Sequence, residues 1–194
     1  MGVTDHRAYH HGNLRAVLLA EAERTLREHG PDGLSLRELA RLTGVSHGAP
    51  RRHFADRQAL LDALAATGFA RLADEMCAAI EETGPDYRTR LRAAAAAFVR
   101  FAVHDGALLD LMFASKTDGH HSALPEGAVR LFSAVGDLVR QGQQAQVLPR
   151  GDPERLRLLL IATLQGIAAL ITSGRAHADQ TEDLLDDAVE LFTR

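Results

Sequence analysis

Residues 35–57, SLRELARLTGVSHGAPRRHFADR, decide the fold of the chain. Ser35 stands as a helix cap whose hydroxyl can accept a first-turn N–H, and Glu38, three residues on, can reach back to the cap's own N–H in a capping box. Leu36, Leu39, Ala40 and Val45 supply an apolar face. Gly44 falls just past the last helical residue, where a left-handed backbone is cheap only for glycine. Ser46 then starts a second helix. A helix, a short glycine turn and a second helix make the helix-turn-helix layout, in which the second helix enters the major groove of DNA.

That second helix carries His47, Gly48, Arg51, Arg52 and His53, Arg57 follows closely, and no acid intervenes before Asp56. The planar fork of arginine matches phosphate oxygens or the O6/N7 edge of guanine, so the density suits a duplex partner. A solvated cationic face joined to an ordinary core has the same charge, and charge alone does not separate the two. Pro50 removes an N–H at the fourth position after Ser46 and pushes Ala49 away from helical angles, which predicts a tight or kinked first turn.

Outward from this stretch every periodic segment is helical. Asn13 caps a helix with Leu14, Val17, Leu18, Ala22 and Leu26 at three- and four-residue steps, ended by Gly30 and Pro31. Phe54 is placed to enter a small three-helix core, and Asp56 caps a long helix bearing Leu60, Leu61, Leu64, Phe69, Leu72, Met76 and Ile80. Further helices are expected over Tyr87 to His104, Ala107 to Ser115, Glu126 to Ala145, Pro153 to Gly174, and from a Thr181 cap through Phe192. Residues 1–12 read as a polar arm in which Arg7, His10 and His11 either follow a DNA backbone or fray.

Composition narrows the function. A formal charge of -4 over 194 residues excludes a globally basic nucleic-acid coat, so affinity for DNA must come from a local patch. The single cysteine, Cys77, excludes an intramolecular disulfide and fits a reducing compartment; its neighbours Met76 and Ile80 favour a buried hydrophobe over a redox sensor. The N-terminus has no apolar secretory core, and the apolar run Leu158 to Thr172, interrupted by Thr163, Gln165 and Gly166, falls short of the roughly 20 residues of a membrane span, so a soluble cytoplasmic protein is expected. Asp118, His120 and His121 share a polar loop, but adjacent histidines rarely converge on one ion, and no metal or cofactor is expected. No HExxH, Glu-x-x-His pair, P-loop or nucleophile elbow occurs, so no enzyme is expected either.

Residues 9–36, YHHGNLRAVLLAEAERTLREHGPDGLSL, and 36–64, LRELARLTGVSHGAPRRHFADRQALLDAL, together resemble the N-terminal DNA-binding domain of the TetR/AcrR family of transcriptional regulators. The resemblance implies an all-α homodimer: a three-helix helix-turn-helix domain over 1–56 and a helical ligand-binding and dimerisation domain over 57–194. Many members carry leucine then tyrosine where this chain has Pro50 and Arg51, so a charged contact replaces the tyrosine's phosphate hydrogen bond. Arg57 occupies the place of a basic residue that touches phosphate at the start of the linking helix. The DNA-contacting set is thus Ser35, Ser46, His47, Gly48, Arg51, Arg52, His53 and Arg57.

A small, largely apolar effector is expected among Phe98, Phe101, Leu108, Met112, Phe132 and Leu164, with His104 and Gln165 as polar anchors, though each of those two alone also reads as a hydrogen-bonded core residue. The last two helices are apolar over more than one face, so Leu156, Leu160, Ile167, Leu184 and Leu191 are expected to pair across a two-fold axis, unless a monomer core uses both faces. These features together predict a repressor that binds a palindromic operator as a homodimer and is released by its effector. The alternative is a dimeric DNA-binding regulator without ligand response.

Overall fold

The computed structural model describes residues 14–114 and 124–193. Arg7, His10, His11, the Asn13 cap and the histidines of the polar loop lie outside the described residues. Within them run eight α-helices: α1 Leu14–His29, α2 Leu36–Leu42, α3 Arg57–Glu81, α4 Tyr87–His104, α5 Gly106–Ala114, α6 Glu126–Gln144, α7 Pro153–Thr172 and α8 Thr181–Phe192. Short 3-10 turns cover Pro31–Gly33, Pro50–Arg52 and Ala178–Gln180, and the described residues contain no strand.

The spine is α3. Asp56 caps it by accepting the Ala59 N–H at 2.8 Å, and at about 1.5 Å per residue its 25 residues reach ~38 Å. That length lets one buried stripe serve two halves of the molecule. Its first turns close a small core with Leu18, Leu26, Leu34 and Phe54, and the later ones, through Phe69, Leu72 and Met76, pack on α4, α5 and α6. α6 crosses so closely that a Cβ on Gly127 would stand 2.5 Å from the Ala70 backbone nitrogen, a distance backbone cannot relieve. Buried Ala94, Ala95, Ala96 and Ala97 run around α4 and let α3, α7 and α8 approach it from several sides. Arg92 of α4 pairs with Glu182 and Asp186 of α8.

Two boundaries differ from those expected. α5 opens at Gly106, one residue before the expected Ala107, so α4 and α5 meet at a one-residue corner, Asp105. Gln180 is the N-cap residue of α8, and Thr181, expected there, is the first helical residue with its hydroxyl on the Ala178 carbonyl at 2.7 Å.

Candidate nucleic-acid interface and effector cavity

The head is built by local rules. Ser35 Oγ accepts the Glu38 N–H at 3.1 Å, but the Glu38 carboxylate turns to Arg41, at 3.0 and 3.1 Å from its Nε, so only half of the expected capping box forms. At the other end of α2 the Val45 N–H reaches the Ala40 carbonyl at 3.0 Å and the Gly44 N–H reaches that of Arg41 at 3.3 Å, the Schellman pattern. Gly44 sits at φ 68°, which a side chain would strain.

The second helix of the motif departs from expectation. No α-helix starts at Ser46: residues 47–49 form turns and Pro50–Arg52 a 3-10 helix, with Ala49 N–H on the Ser46 carbonyl at 2.9 Å and Arg52 N–H on that of Ala49 at 3.2 Å. Pro50 cannot donate the i→i−4 bond to Ser46, and the tighter i→i−3 pattern takes over. Pro50 itself is buried, anchoring the turn against the core. Arg51 and Arg52, the next two positions around the turn, are both exposed.

Ser35, Ser46, His47, Gly48, Arg51, Arg52, His53 and Arg57 are all exposed and lie on one head. Arg37 was missed by sequence reasoning: exposed on α2, it lines one groove with His47 and Arg51. The signal was there, because Leu36, Leu39 and Ala40 turn inward and leave position 37 facing water. Among the described residues, Arg37, Arg51 and Arg52 form no ion pair. Arg57 differs. Its Nε donates to the Leu34 carbonyl at 3.0 Å and its Nη2 to that of Pro31 at 2.5 Å, with Asp32 at 3.8 Å, so most of the fork expected to reach phosphate holds the α1–α2 turn.

The rear half encloses an apolar cavity of about 50 Å3 between α4, α6, α7 and α8. Of the eight residues expected to line it, Phe98, Phe132 and Leu164 do. Phe101 instead lies beneath the Arg71 guanidinium, 4.9 Å from its ring centroid, and Leu108 and Met112 pack on Gly68 of α3. His104 and Gln165 are exposed and anchor nothing inside. The reason is rotation: at about 100° per residue, Gln165 points away from Leu164's face, and the end of α4 turns toward α3. Leu91, Ala95, Leu131, Val135 and Leu160, not expected there, complete the wall.

Leu160 was assigned to a dimer face, as were Leu156 and Ile167, but all three are buried in their own core. Leu191, at 66% exposed, is uncovered in the single chain, and Leu184 is half-buried. The uncovered apolar stripe of α7 is a different one, Leu158 (59% exposed), Leu159 (51%), Ala162, Gly166, Ala169 and Leu170. α7 spans 20 residues and holds an 18-residue window of mean hydropathy 1.5, long and apolar enough to cross a membrane, contrary to the shorter run expected, yet it packs on α4, α6 and α8.

An ionic bridge joins the two halves. Arg71 of α3 donates to Glu23 of α1 at 2.8 Å and approaches Asp105 at the α4–α5 corner to 2.7 Å, and Arg27 of α1 lies 3.1 Å from both Glu23 and Asp105. The Arg71–Asp105 approach is off the line of a good hydrogen bond, so charge holds it. Burial opposes the charged guanidinium, but the Glu23 hydrogen bond and the surrounding carboxylates outweigh it and keep Arg71 protonated.

Comparison with known proteins agrees with this geometry. Residues 18–64 match the profile of the bacterial regulatory proteins of the tetR family, and residues 91–192 that of a tetracyclin repressor-like C-terminal domain. The chain is 29% identical over 193 residues to the HTH-type transcriptional repressor AcnR of Corynebacterium efficiens, covering 94% of this chain and 93% of the relative. To AcnR of Corynebacterium glutamicum it is 31% identical over 182 residues, covering 90% and 89%. A solved structure of a protein with unknown function from Rhodococcus sp. RHA1 superposes with a TM-score of 0.85 at 40% identity, covering 97% of this chain and all of that one. The two AcnR relatives are named as regulators rather than enzymes, and with both halves of the chain matched, the protein belongs to the tetR family of bacterial regulatory proteins and is a DNA-binding transcriptional regulator.

Proposed function

We propose that the protein is a cytoplasmic homodimeric repressor that binds a pseudopalindromic operator and is released by a small, largely apolar effector. Its two heads would enter successive major grooves about 34–36 Å apart. Pairing through the exposed α7 stripe with Leu191 would cover the apolar surface that the single chain leaves open.

The observation that carries the effector reading is the cavity's size against its lining. At about 50 Å3 it is far smaller than the ~300–1,000 Å3 of usual ligand sites. An effector therefore enters only by moving α4, α6 and α7 apart. α4 packs on α3 and ends at Asp105, which is ion-paired to α1, so an expansion that displaces α4 would pull on the head. A ligand that binds only the expanded arrangement shifts the protein away from the operator-binding one. The alternative, a dimer without ligand response, keeps the cavity closed throughout.

Gel-shift titration with the DNA upstream of the protein's own gene tests the operator reading; no preference over random duplex at any salt would end it. Ala95→Leu fills the cavity and separates the two regulatory readings. Retained operator binding with lost release by a metabolite extract supports the effector reading, and unchanged release by that extract overturns it.

A further inference from the structure

The cavity offers a ligand almost nothing to hydrogen-bond. Its polar lining residue, Thr163, gives its hydroxyl to the Leu159 carbonyl at 2.9 Å. A polar head buried there would stay unsatisfied, which disfavours burial, so any head group must leave the cavity at its edge.

Arg157 stands at that edge. It precedes Leu160, Ile161 and Leu164 by three, four and seven residues, so it continues the α7 stripe that lines the cavity. Its guanidinium lies 5.6 Å from the ring centroid of Phe132, a partly buried wall residue, so one ring separates cavity from cation. The arginine side chain is only 19% exposed, while its partner Glu154 is 62% exposed. Glu154 Oε2 takes both Nε, at 3.0 Å, and Nη2, at 2.7 Å, and among the described residues Nη1 has no acceptor. A mostly buried planar fork with a donor to spare suits a planar anion, and its present carboxylate partner is free to swing into water.

We propose that the effector is a single-headed aliphatic monocarboxylate whose chain expands the cavity and whose carboxylate pairs with Arg157, with Phe132 turning aside as the gate. This rests on the effector reading above and adds the chemical class. An uncharged alkyl compound would gain the cavity but not the arginine, and an alkylammonium would meet like charge.

Isothermal titration calorimetry of the full chain with octanoate, octan-1-ol and octylammonium separates these. Octanoate is expected to bind ~10- to 100-fold more tightly than octan-1-ol, the range of a charge-assisted hydrogen bond, with octylammonium weakest. Arg157→Gln should bring octanoate down to the alcohol's affinity while leaving the alcohol within about twofold, which also shows that the variant folds. Equal binding of acid and alcohol by the unaltered protein, tightest binding of the ammonium, or a preference for octanoate that survives Arg157→Gln overturns the carboxylate assignment and leaves the apolar effector cavity standing. If none of the three binds, the effector reading falls and the assignment with it.

Discussion

Arg71 Nη2 and Asp105 Oδ2 stand 2.7 Å apart, and with them the end of α4 is tied to α3 and, through Glu23 and Arg27, to α1. Asp105 is only 15% exposed and serves two arginines, so the amide in Asp105→Asn would leave both facing a neutral group. Loss of a fully buried pair costs ~3–5 kcal/mol, but Arg71 is a third and Arg27 half exposed, so screening reduces the expected loss to ~1–3 kcal/mol. For a chain of this length that is a Tm lower by roughly 2–10 °C in a thermal melt. If the bridge also transmits effector binding, the variant keeps operator affinity and loses release; release equal to that of the unaltered protein would show that the bridge is structural only.

Arg51 and Arg52 emerge on neighbouring sides of a 3-10 turn, so they cannot both face the same part of a groove. Arg37 and His47 share a groove with Arg51, which points to phosphate for that set and to base edges for Arg52. Arg52→Ala should cost about 1–3 kcal/mol of operator binding and relax preference at one position in each half-site. Arg37→Ala and Arg51→Ala should weaken all duplexes alike and lower the salt slope by about 1 per lost contact. Fluorescence anisotropy over a salt series, with single-base operator variants, distinguishes them, and a changed base preference in Arg37→Ala would reverse the assignment.

Arg57 has two tasks in this structure. Its hydrogen bonds to Pro31 and Leu34 hold the turn that orients α2, leaving part of the fork for phosphate. Arg57→Ala should therefore lower stability by about 1 kcal/mol as well as operator affinity. Arg57→Lys keeps the charge but cannot reach two carbonyls in fork geometry, so it should restore salt dependence without restoring the melting temperature. A variant that melts normally and reads different operator positions would contradict both roles.

What the sequence made legible follows from how local each rule is. The Ser35 and Asp56 caps and the Gly44 turn depend on a few neighbours, and each is found where its residue type demands. Pro50 forecast trouble in the second helix, but how far the helix would tighten depended on Pro50 itself being drawn into the core. In α7 periodicity delineates stripes without saying which one meets its own chain. Both stripes are apolar, so Leu156, Leu160 and Ile167 were assigned outward when they point inward. His104 and Gln165 failed likewise, since a helix end and a 100° step decide exposure and composition does not.

Tyr87 ties α4 to α6 through a hydrogen bond from its hydroxyl to the Leu138 carbonyl at 3.1 Å, and burial pushes its pKa up to about 12. A raised acid pKa means the folded protein holds a proton that the unfolded chain gives up near pH 10. The stability is therefore complete below about pH 10 and is lost as pH climbs through about 12. Tyr87→Phe should cost about 1 kcal/mol at neutral pH and flatten the alkaline part of the curve in denaturant melts. An equally steep alkaline loss in that variant would assign the effect to other groups.

The proposed dimer face and the core face of α7 can be told apart by two leucines three residues apart. Leu156 is buried within its own chain, so Leu156→Ala removes packing there and should lower stability by about 2–4 kcal/mol while leaving assembly unchanged at concentrations where the chain stays folded. Leu159 is half exposed on the other stripe, so Leu159→Arg should leave the single chain's fold and helicity intact. In the dimer, however, the same arginine would be desolvated against apolar side chains of the second copy without a partner charge. Sedimentation velocity should then report a monomer for Leu159→Arg and a dimer for Leu156→Ala. Operator affinity should fall with the monomer, because a lone head keeps its contacts but loses the gain in effective concentration that two linked heads share. A Leu159→Arg protein that still sediments as a dimer would move the interface off this stripe, and Leu191, on α8, would be the next position to charge.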